Sequence, residues 1–368
     1  MTNKPHIDAI ELLTKLVSIP SLSKQEARAS AYLAGWMNAH GLKAHVDEAG
    51  SAVGVKGSGP NEILLLGHID TFPGQVPVHR EGDLLYGRGS VDAKGPLCTF
   101  AAATAQVEVP AGWRITVVGA VEEECATSRG ARHILAQRLP EAGLTPPVYC
   151  IIGEPSRWDR ITIGYKGRLL LEVVMRVPFA HSSGPQRLPA EQAVDFWLDV
   201  EHLCDEFNLV NEASGPFSQL SPSLRHIVHQ DDGAYGQVEM SMGFRLPVGL
   251  TPAHLEQKLR DLLKLQPQET DIKLSFSGGE LAYHGGKSNP LVRAFLKSIR
   301  EGGGEPRFVS KTGTADMNVV APHWPGTPVV AYGPGDNRLD HTPDEHIDLN
   351  EYQQAIGILR GALEQLVS

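Results

Sequence analysis

The stretch EILLLGHIDTFPG, from Glu62 to Gly74, decides how this sequence is interpreted. Its apolar run, residues 63–66, is typical of a strand that is buried on both faces. His68 and Asp70 follow where such a strand would end. Side chains two residues apart in a strand point the same way, so both should face one side while Ile69 turns back to the core. A packed histidine beside a turn aspartate would give the same local pattern, and the rest of the chain must decide between packing and ligation.

Apolar runs before and after this stretch alternate with helical patterns. SAVGVKG, WRITVVGAVE and PVYCIIGE have the composition of strands, and LCTFAAATAQV has that of a helix. Ser23 and Glu26 match a capping box, which predicts a helix that begins there and runs through Asn38. The alternation predicts an α/β fold with a central mixed sheet flanked by helices.

The pattern changes near Gly167. GRLLLEVVMRV and GQVEMSMGFRLPV are typical of strands, and two amphipathic helical patterns accompany them before the α/β pattern returns after about Gly279. We therefore predict one domain formed by residues 1–166 and 280–368. Residues 167–279 are predicted to form a smaller α+β domain inserted into it.

Composition excludes several classes of function. The chain has 368 residues and a net charge of −10, which argues against binding to nucleic acid or to an anionic membrane surface. It has no run of about 20 apolar residues that would span a membrane. None of its four cysteines forms a CxxC pair, which favours reduced cysteines in a cytoplasmic protein over disulfides or a thiolate zinc site.

Acidic residues and histidines recur at the ends of the predicted strands or in the loops beside them. Ligands of α/β sheets bind beyond the carboxyl ends of the strands, so these residues could converge on one crevice. After the first pair, the clusters are GRGSVDAKG with Asp92, the triplet Glu122-Glu123-Glu124, IIGEPS with Glu154, and LDHTPDEHI with His341.

Two histidines and several carboxylates are the inventory of a hydrolytic centre with two metal ions. Nitrogen and oxygen donors suit zinc, with cobalt or manganese as substitutes. Such a centre needs one carboxylate that bridges the ions, and an unligated carboxylate that acts as general base on a water. The triplet can supply both a ligand and that base.

The motifs resemble those of the co-catalytic zinc aminoacylases and carboxypeptidases, a family that includes succinyl-diaminopimelate desuccinylase, acetylornithine deacetylase and carboxypeptidase G. The resemblance spans nearly the whole chain. The motifs that carry it are LVSIPS, GHIDTFP, GRGSVDAKG, AVEEE, GEPS and HTPDE. It implies a zinc-peptidase-like catalytic domain with an inserted dimerisation or lid domain, and therefore a homodimer.

The resemblance also assigns roles. It implies that His68 and Glu154 bind one metal ion, that His341 binds the other, and that Asp92 bridges them. Asp70 is implied to orient His68, as metal-bound histidines commonly require.

The triplet allows two registers. In the favoured one, Glu123 is the general base and Glu124 the metal ligand. The alternative register shifts both roles one residue earlier, to Glu122 and Glu123.

Further residues match positions that bind substrate in the family. His181 in FAHSSGP matches a histidine that reaches the partner's site to hold the substrate carbonyl oxygen. Arg245 in MGFRLP matches an arginine that binds the substrate carboxylate, although Phe244 replaces the usual Asp or Asn before it. In KTGTADMN, the residues that would shape the pocket are Gly313, Thr314 and Asp316.

The VEEE, GYKGR and KTGTADMN segments most resemble a lysine-biosynthesis branch of the family. That branch releases lysine, and sometimes ornithine, from the C-terminal glutamate side chain of a small acidic amino-group carrier protein. The alternatives are a deacylase for acetylornithine, acetyl-lysine or succinyl-diaminopimelate, and a metal-binding scaffold without catalysis. An acidic carrier would require basic charge near the cleft, for which the sequence suggests the residues Arg157, Arg160, Lys166 and Arg168.

Overall fold

The computed structural model describes residues 8–139, 142–178, 187–265 and 271–368. The α-helices in these residues are α1 (Ala9–Val17), α2 (Ala27–Ala39), α3 (Lys94–Gln106), α4 (Arg129–Ala136), α5 (Pro189–Val210), α6 (Pro252–Leu262), α7 (Pro290–Glu301), α8 (Asp316–Val320) and α9 (Leu349–Val367). The strands are β1 (Lys43–Val46), β2 (Ala52–Gly57), β3 (Asn61–His68), β4 (His79–Glu81), β5 (Leu84–Tyr86), β6 (Trp113–Ala120), β7 (Tyr149–Gly153), β8 (Arg160–Tyr165), β9 (Gly167–Pro178), β10 (Ser221–Asp231), β11 (Tyr235–Leu246), β12 (Asp271–Glu280), β13 (Tyr283–His284), β14 (Arg307–Lys311), β15 (Val329–Tyr332) and β16 (His346–Asp348).

The chain divides into two compact units. Unit 2 consists of Tyr165–His284 with Lys311–Thr314, and unit 1 consists of the remaining residues. The sequence placed the boundaries after residues 166 and 279 and did not associate 311–314 with the insertion. The assignment of the smaller unit to dimerisation stays a prediction.

Unit 1 is built on a mixed sheet, as the sequence predicted. Its strands run in the order β1-β2-β6-β3-β7-β15-β8, and β14 also pairs with β8. The central strands β6, β3, β7 and β15 are parallel to one another, whereas β1 and β2 are antiparallel to their neighbours. Residues 63–66 of β3 are fully buried because helices cover the parallel strands.

Helix α3 lies close to the carboxyl ends of β3 and β7. Gly153 makes this possible, because a Cβ atom there would lie 2.9 Å from the Cα of Gly67 and 3.0 Å from the ring of Phe100. Every residue of α3 from Lys94 to Thr104 is buried. The close packing brings the loop before α3, which carries Asp92, to the strand ends.

Unit 2 contains a four-stranded antiparallel sheet in the order β10-β11-β9-β12, with α5 and α6 packed against it. Alternate residues of β9 are buried, beginning with Gly167, Leu169 and Leu171. They form a separate apolar core with residues of α5 such as Phe196 and Val200. Of the helices in the described part of the chain, none has the length and apolar character that a membrane span requires.

The predicted capping box is wrong. Helix α2 begins at Ala27, and its N-cap Glu26 makes no side-chain cap hydrogen bond. The Ser23 hydroxyl donates instead to Oδ2 of Asp70 at 2.7 Å. Oε1 of Glu26 accepts hydrogen bonds from the backbone N–H groups of Lys24 and Glu122. Tertiary partners have replaced the local cap.

A buried ion pair joins the start of β3 to the residues after α4. The Arg138 guanidinium donates two hydrogen bonds to the Glu62 carboxylate, at 2.8 and 2.9 Å, and the Thr116 hydroxyl donates a third at 2.7 Å. Burial alone would raise the pKa of Glu62, but these hydrogen bonds and the charges of Arg138 and Arg114 outweigh it and lower the pKa.

We expect Arg138→Met to lower the free energy of unfolding by about 3–5 kcal/mol, because it leaves the Glu62 carboxylate buried without its cation. Urea denaturation at neutral pH measures this loss. Since the folded-state pKa of Glu62 is lowered, the stabilisation is complete above its unfolded-state value and is lost as the pH falls through the folded-state value. The difference in the free energy of unfolding between wild type and Arg138→Met should therefore be smaller at acidic pH. A Glu62→Gln/Arg138→Met double variant that is no more stable than Arg138→Met would contradict this explanation.

Candidate metal centre

The side chains at the end of β3 have the arrangement that strand alternation predicts. Ile69 is fully buried in the main apolar core. His68 and Asp70 lie together on the other side, with Nδ1 of His68 3.5 Å from Oδ1 of Asp70 and 3.0 Å from its carbonyl oxygen. The Nε2 atom of His68 therefore faces away from Asp70, towards Asp92.

Asp92 lies between two histidines. Its Oδ1 is 3.3 Å from Nε2 of His68, and its Oδ2 is 3.1 Å from Nε2 of His341. Each oxygen thus faces a different histidine, which is the arrangement that a carboxylate shared by two cations needs. The peptide bond that follows Asp92 is cis.

The loop that carries Asp92 is held by Glu345, a residue for which the sequence suggested no role. Oε1 of Glu345 accepts hydrogen bonds from the backbone N–H groups of Val91 and Asp92, at 3.0 and 3.1 Å. Its Oε2 accepts one from Arg88 at 2.8 Å. Glu345 is fully buried and lies four residues after His341, so it couples the positions of two candidate ligands.

His341 is held by its backbone conformation and by an aromatic neighbour. Its φ of 61° lies in the left-handed region, which non-glycine residues seldom adopt outside functional or turn positions. Its ring stacks on Phe72, with the ring centroids 3.9 Å apart and the planes 9° apart. The sequence suggested no role for Phe72. An aromatic residue two positions after Asp70 was the signal that the sequence offered.

Asp70 also positions the acidic triplet. Its Oδ1 accepts a hydrogen bond from the backbone N–H of Glu123, and its Oδ2 accepts one from that of Glu124, both at 3.1 Å. Oε2 of Glu124 lies 3.2 Å from Nε2 of His341. The Glu122 side chain is directed elsewhere, because its Oε2 accepts a hydrogen bond from the Thr127 hydroxyl at 2.7 Å and its Oε1 lies 3.6 Å from Arg129.

The candidate centre concentrates negative charge. The pKa of Glu123 is raised well above its ordinary value by burial, and the charges of Asp316, Glu154 and Glu124 raise it further against the opposing effect of His68. Burial also raises the pKa of Glu124. Hydrogen bonds with Asp92 and Glu124 raise the pKa of His341 to about 10. Burial would lower the pKa of His68, but hydrogen bonds with Asp70 and Asp92 raise it well above its ordinary value.

These residues fit a divalent cation. Ligand atoms of His68, Asp92 and Glu124 lie within 4.8 Å of one another. Among the described residues, Oε1 of Glu124 is buried and has no hydrogen-bond partner, which leaves an acceptor for a ligand. The donor set of imidazole nitrogen and carboxylate oxygen is the one that zinc and similar ions prefer.

Glu154 and Asp316 lie at the edge of this group. Glu154 is buried just after β7 and does not belong to the set of three whose ligand atoms converge. Its charge and that of Asp316, a buried residue at the start of α8, both act on Glu123. The structure therefore brings together His68, Asp70, Asp92, Glu123, Glu124 and His341, with Glu154 and Asp316 beside them.

Apart from Asp316, which lies in unit 1, the predicted substrate residues lie in unit 2 or outside the described residues. Nη1 of Arg245 donates a hydrogen bond to the Thr314 hydroxyl at 2.7 Å, and that hydroxyl donates to the Lys166 carbonyl at 3.0 Å. Gly313, in the same loop as Thr314, has open space around the position that a Cβ atom would take. His181 falls in the 179–186 segment, outside the described residues.

The basic cluster suggested from the sequence is not a set of exposed charges. Lys166 is 1% exposed, and its amine donates to the carbonyl oxygens of Pro216 and Gln219 and to the Ser221 hydroxyl. Arg157 forms an ion pair with Asp336. The interpretation of this cluster as a docking surface is therefore wrong for its central residue.

Comparison with known proteins decides the family. Residues 64–365 match the model of Peptidase family M20/M25/M40. The chain belongs to peptidase family M20/M25/M40. The chain is 42% identical over 372 residues to a LysW-lysine hydrolase of Deinococcus radiodurans, covering 100% of this chain and 99% of that protein. It is 27% identical over 359 residues to a LysW-lysine/LysW-ornithine hydrolase of Saccharolobus islandicus, covering 97% and 96% of the two chains.

Solved structures of other proteins share the fold. The M20 family metallo-carboxypeptidase of Sulfolobus solfataricus superposes with a TM-score of 0.81 at 17% identity, covering 98% of this chain and 100% of that one. Human carnosine dipeptidase 1 superposes with a TM-score of 0.72 at 16% identity, covering 98% and 97%. The resemblance drawn from the motifs and the predicted fold class are confirmed. This M20 protein is an amide-bond hydrolase of a family that uses divalent metal ions.

Proposed function

We propose that this M20 protein releases lysine, and also ornithine, from the C-terminal glutamate side chain of a LysW-type amino-group carrier protein. The observation that carries the proposal is the full-length identity of 42% to a relative named LysW-lysine hydrolase. The relative that is named for both amino acids supports the inclusion of ornithine. The protein would then act at the end of a lysine- or arginine-forming pathway.

The proposed ligands form two sets that share Asp92. His68 and Glu154 would complete one site, and Glu124 and His341 the other. The proposal includes zinc as the ion, with cobalt or manganese as substitutes, because all the proposed ligands are nitrogen or oxygen donors. When bound, two such ions supply Lewis-acid polarisation of the amide carbonyl and lower the pKa of a water molecule.

Glu123 is the proposed general base. The contact between Glu124 and His341 and the separate hydrogen bond of Glu122 support this register over the earlier one. The Glu123 carboxylate would accept a proton from the attacking water, and the resulting carboxylic acid would donate it to the leaving amine of lysine. Burial raises the pKa of Glu123, which makes the carboxyl group a better proton acceptor and lets it hold the proton between these two steps.

The proposed substrate contacts come from the smaller unit. Arg245 and Thr314 are joined by a hydrogen bond, which supports their acting together on a carboxylate, with Gly313 leaving room beside them. His181 is proposed to hold the carbonyl oxygen. Asp70 would orient His68 and the backbone of the triplet at once, through the contacts described above.

We also propose that the protein is a cytoplasmic homodimer. In unit 2, β10 is an outer strand, and most of its residues are at least partly exposed. Large apolar side chains at the end of α5 are also exposed, with Leu209 80% and Val210 81% accessible. The four cysteines are free thiols, which supports a reducing compartment.

Side-by-side turnover assays test the function. The purified enzyme, loaded with zinc or cobalt, is given lysine-charged LysW, ornithine-charged LysW, acetylornithine, acetyl-lysine and succinyl-diaminopimelate. We expect the highest kcat/KM for a charged carrier. A higher kcat/KM for a small acylated amino acid would replace the proposal with an ordinary deacylase. Absence of all hydrolysis, together with one tightly bound ion, would favour a metal-binding scaffold.

A further inference from the structure

Two segments of unit 1 carry exposed cations beside the candidate metal centre. The first is residues 22–28, and the second is residues 122–132, which begins with the acidic triplet. One carboxylate oxygen, Oε1 of Glu26, accepts hydrogen bonds from the backbone N–H of Lys24 at 2.8 Å and from that of Glu122 at 3.2 Å. The segments are therefore in direct contact, and they share the metal centre as a neighbour.

In these segments the basic side chains are exposed, whereas the acidic side chains are buried or belong to the candidate metal centre. Lys24, Arg28, Arg129 and Arg132 are exposed. The carboxylates of Glu26 and Glu122 are buried, and Glu123 and Glu124 belong to the metal centre. Arg129 remains 57% exposed although its guanidinium lies 3.6 Å from Glu122. Solvent therefore meets four cations along these two segments, in a chain whose net charge is −10.

An exposed carboxylate, that of Glu48, lies near the second segment and offsets part of its positive charge. Glu48 is 84% exposed and lies 3.2 Å from the ring of His133. Its backbone carbonyl accepts a hydrogen bond from Arg129. Glu48 therefore offsets part of the positive charge around Arg129 and His133.

Two large apolar side chains are exposed next to these cations. Leu22 is 36% exposed and Phe72 is 37% exposed. They are neighbours because Leu22 forms a β-bridge with Thr71. Since Phe72 stacks on His341, the apolar pair lies next to the candidate metal centre. An apolar centre with a charged margin is the usual anatomy of a protein–protein interface.

Five exposed residues next to the candidate metal centre, Leu22, Lys24, Phe72, Arg129 and Arg132, form a surface that is called the docking rim below. We propose that the docking rim receives an acidic surface of the protein that carries the scissile amide. The inference rests on the proposed function, because it requires the substrate amide to be attached to a protein. The occupant is acidic because a partner must meet cations here while the enzyme as a whole is negative. Such local complementarity steers encounter and suppresses wrong partners.

None of these five residues is a candidate ligand or the general base, although Phe72 stacks on the candidate ligand His341. The backbone N–H of Lys24 donates to Glu26, which in turn accepts the backbone N–H of Glu122. Arg132 donates a hydrogen bond to the Thr127 carbonyl, and the Thr127 hydroxyl donates to Glu122. The rim should therefore act on binding of the carrier, with little effect on hydrolysis of the same amide in a small molecule.

The test compares Lys24→Glu/Arg132→Glu with wild type on two substrates that contain the same amide, lysine-charged LysW and the dipeptide γ-glutamyl-lysine. We expect the double variant to raise KM for charged LysW by about tenfold or more, through lost steering and new repulsion. The kcat/KM for the dipeptide should stay within about twofold of wild type, since rim charges act mainly on encounter. The neutral variant Lys24→Gln/Arg132→Gln should lie between.

Ionic strength and a matched control variant test whether the change in KM comes from charge at the docking rim. Raising ionic strength should increase KM of the wild type for charged LysW and should have a smaller effect on the double variant, because exposed charges are screened. Lys297→Glu/Arg360→Glu makes the same charge change at exposed residues of α7 and α9 and should leave KM near wild type.

The outcomes separate the two proposals. Wild type that cleaves the dipeptide but not charged LysW would overturn the proposed function and the docking rim together. Wild type that cleaves charged LysW, with unchanged KM in the double variant, would overturn the docking rim alone. An equal loss on both substrates would also overturn it, because it would show that Arg132 supports the triplet loop and does not bind the carrier.

Discussion

Replacing Glu123 by glutamine is expected to lower kcat by about 10²- to 10⁴-fold, the range that general acid–base groups contribute. The amide of glutamine can neither accept a proton from the attacking water nor return it to the leaving amine. Metal content should be unchanged, because Glu123 is not among the converging ligands His68, Asp92 and Glu124. The backbone N–H of residue 123 still donates to Asp70 in the variant, so the triplet keeps its position.

Steady-state turnover and metal analysis of the same protein preparation measure this effect. Glu122→Gln is the matched control, and it should retain most activity because the Glu122 carboxylate contacts Thr127 and Arg129. Glu124→Gln should lose metal together with activity. Loss of turnover with both ions retained in Glu122→Gln would instead assign the base to the earlier register.

Replacing Asp92 by asparagine is expected to weaken metal binding by more than about 100-fold, since loss of an outer-shell partner alone costs about 10- to 100-fold. The two oxygens of Asp92 face His68 and His341 separately. Asparagine keeps one oxygen, carries no charge, and places an amide N–H₂ group where the second ion would be bound. Activity should fall with the metal.

Competition with a chelator of known affinity measures the change, and circular dichroism shows whether the variant is folded. Asp261→Asn makes the same chemical change at an exposed carboxylate of α6, which pairs with Lys264, and should leave metal affinity unaltered. Wild-type affinity for two ions in Asp92→Asn would show that this carboxylate does not bridge them.

Much of the candidate site could be predicted from local patterns. The apolar run before His68 predicted a buried strand, and alternation predicted the directions of His68, Ile69 and Asp70. These predictions depend on the period of two residues in a strand, which the backbone imposes wherever a strand forms. The acidic triplet and Glu154 likewise follow apolar runs that became β6 and β7. The carboxyl ends of neighbouring parallel strands lie at the same edge of the sheet, so the clusters that follow these strands could be expected to converge there.

Other features could not be predicted, because their partners are distant in sequence. Glu345 accepts the backbone N–H of Asp92, a residue 253 positions earlier. Ser23 matched a helix cap, yet it donates to Asp70, 47 positions later. The direction of the Glu122 side chain, which supports the later of the two registers, depends on Thr127 and Arg129 in the following loop.

The sequence by itself determined the family, the mixed α/β sheet and the residue types of the candidate metal centre, because motif order and backbone period are local properties. Only the tertiary structure decided which carboxylate faces which histidine, and that Asp70 holds both His68 and the triplet. It also showed that Lys166 is buried and that the exposed cations lie beside Leu22 and Phe72. Burial and hydrogen bonding depend on residues brought together by folding, and no local period encodes them.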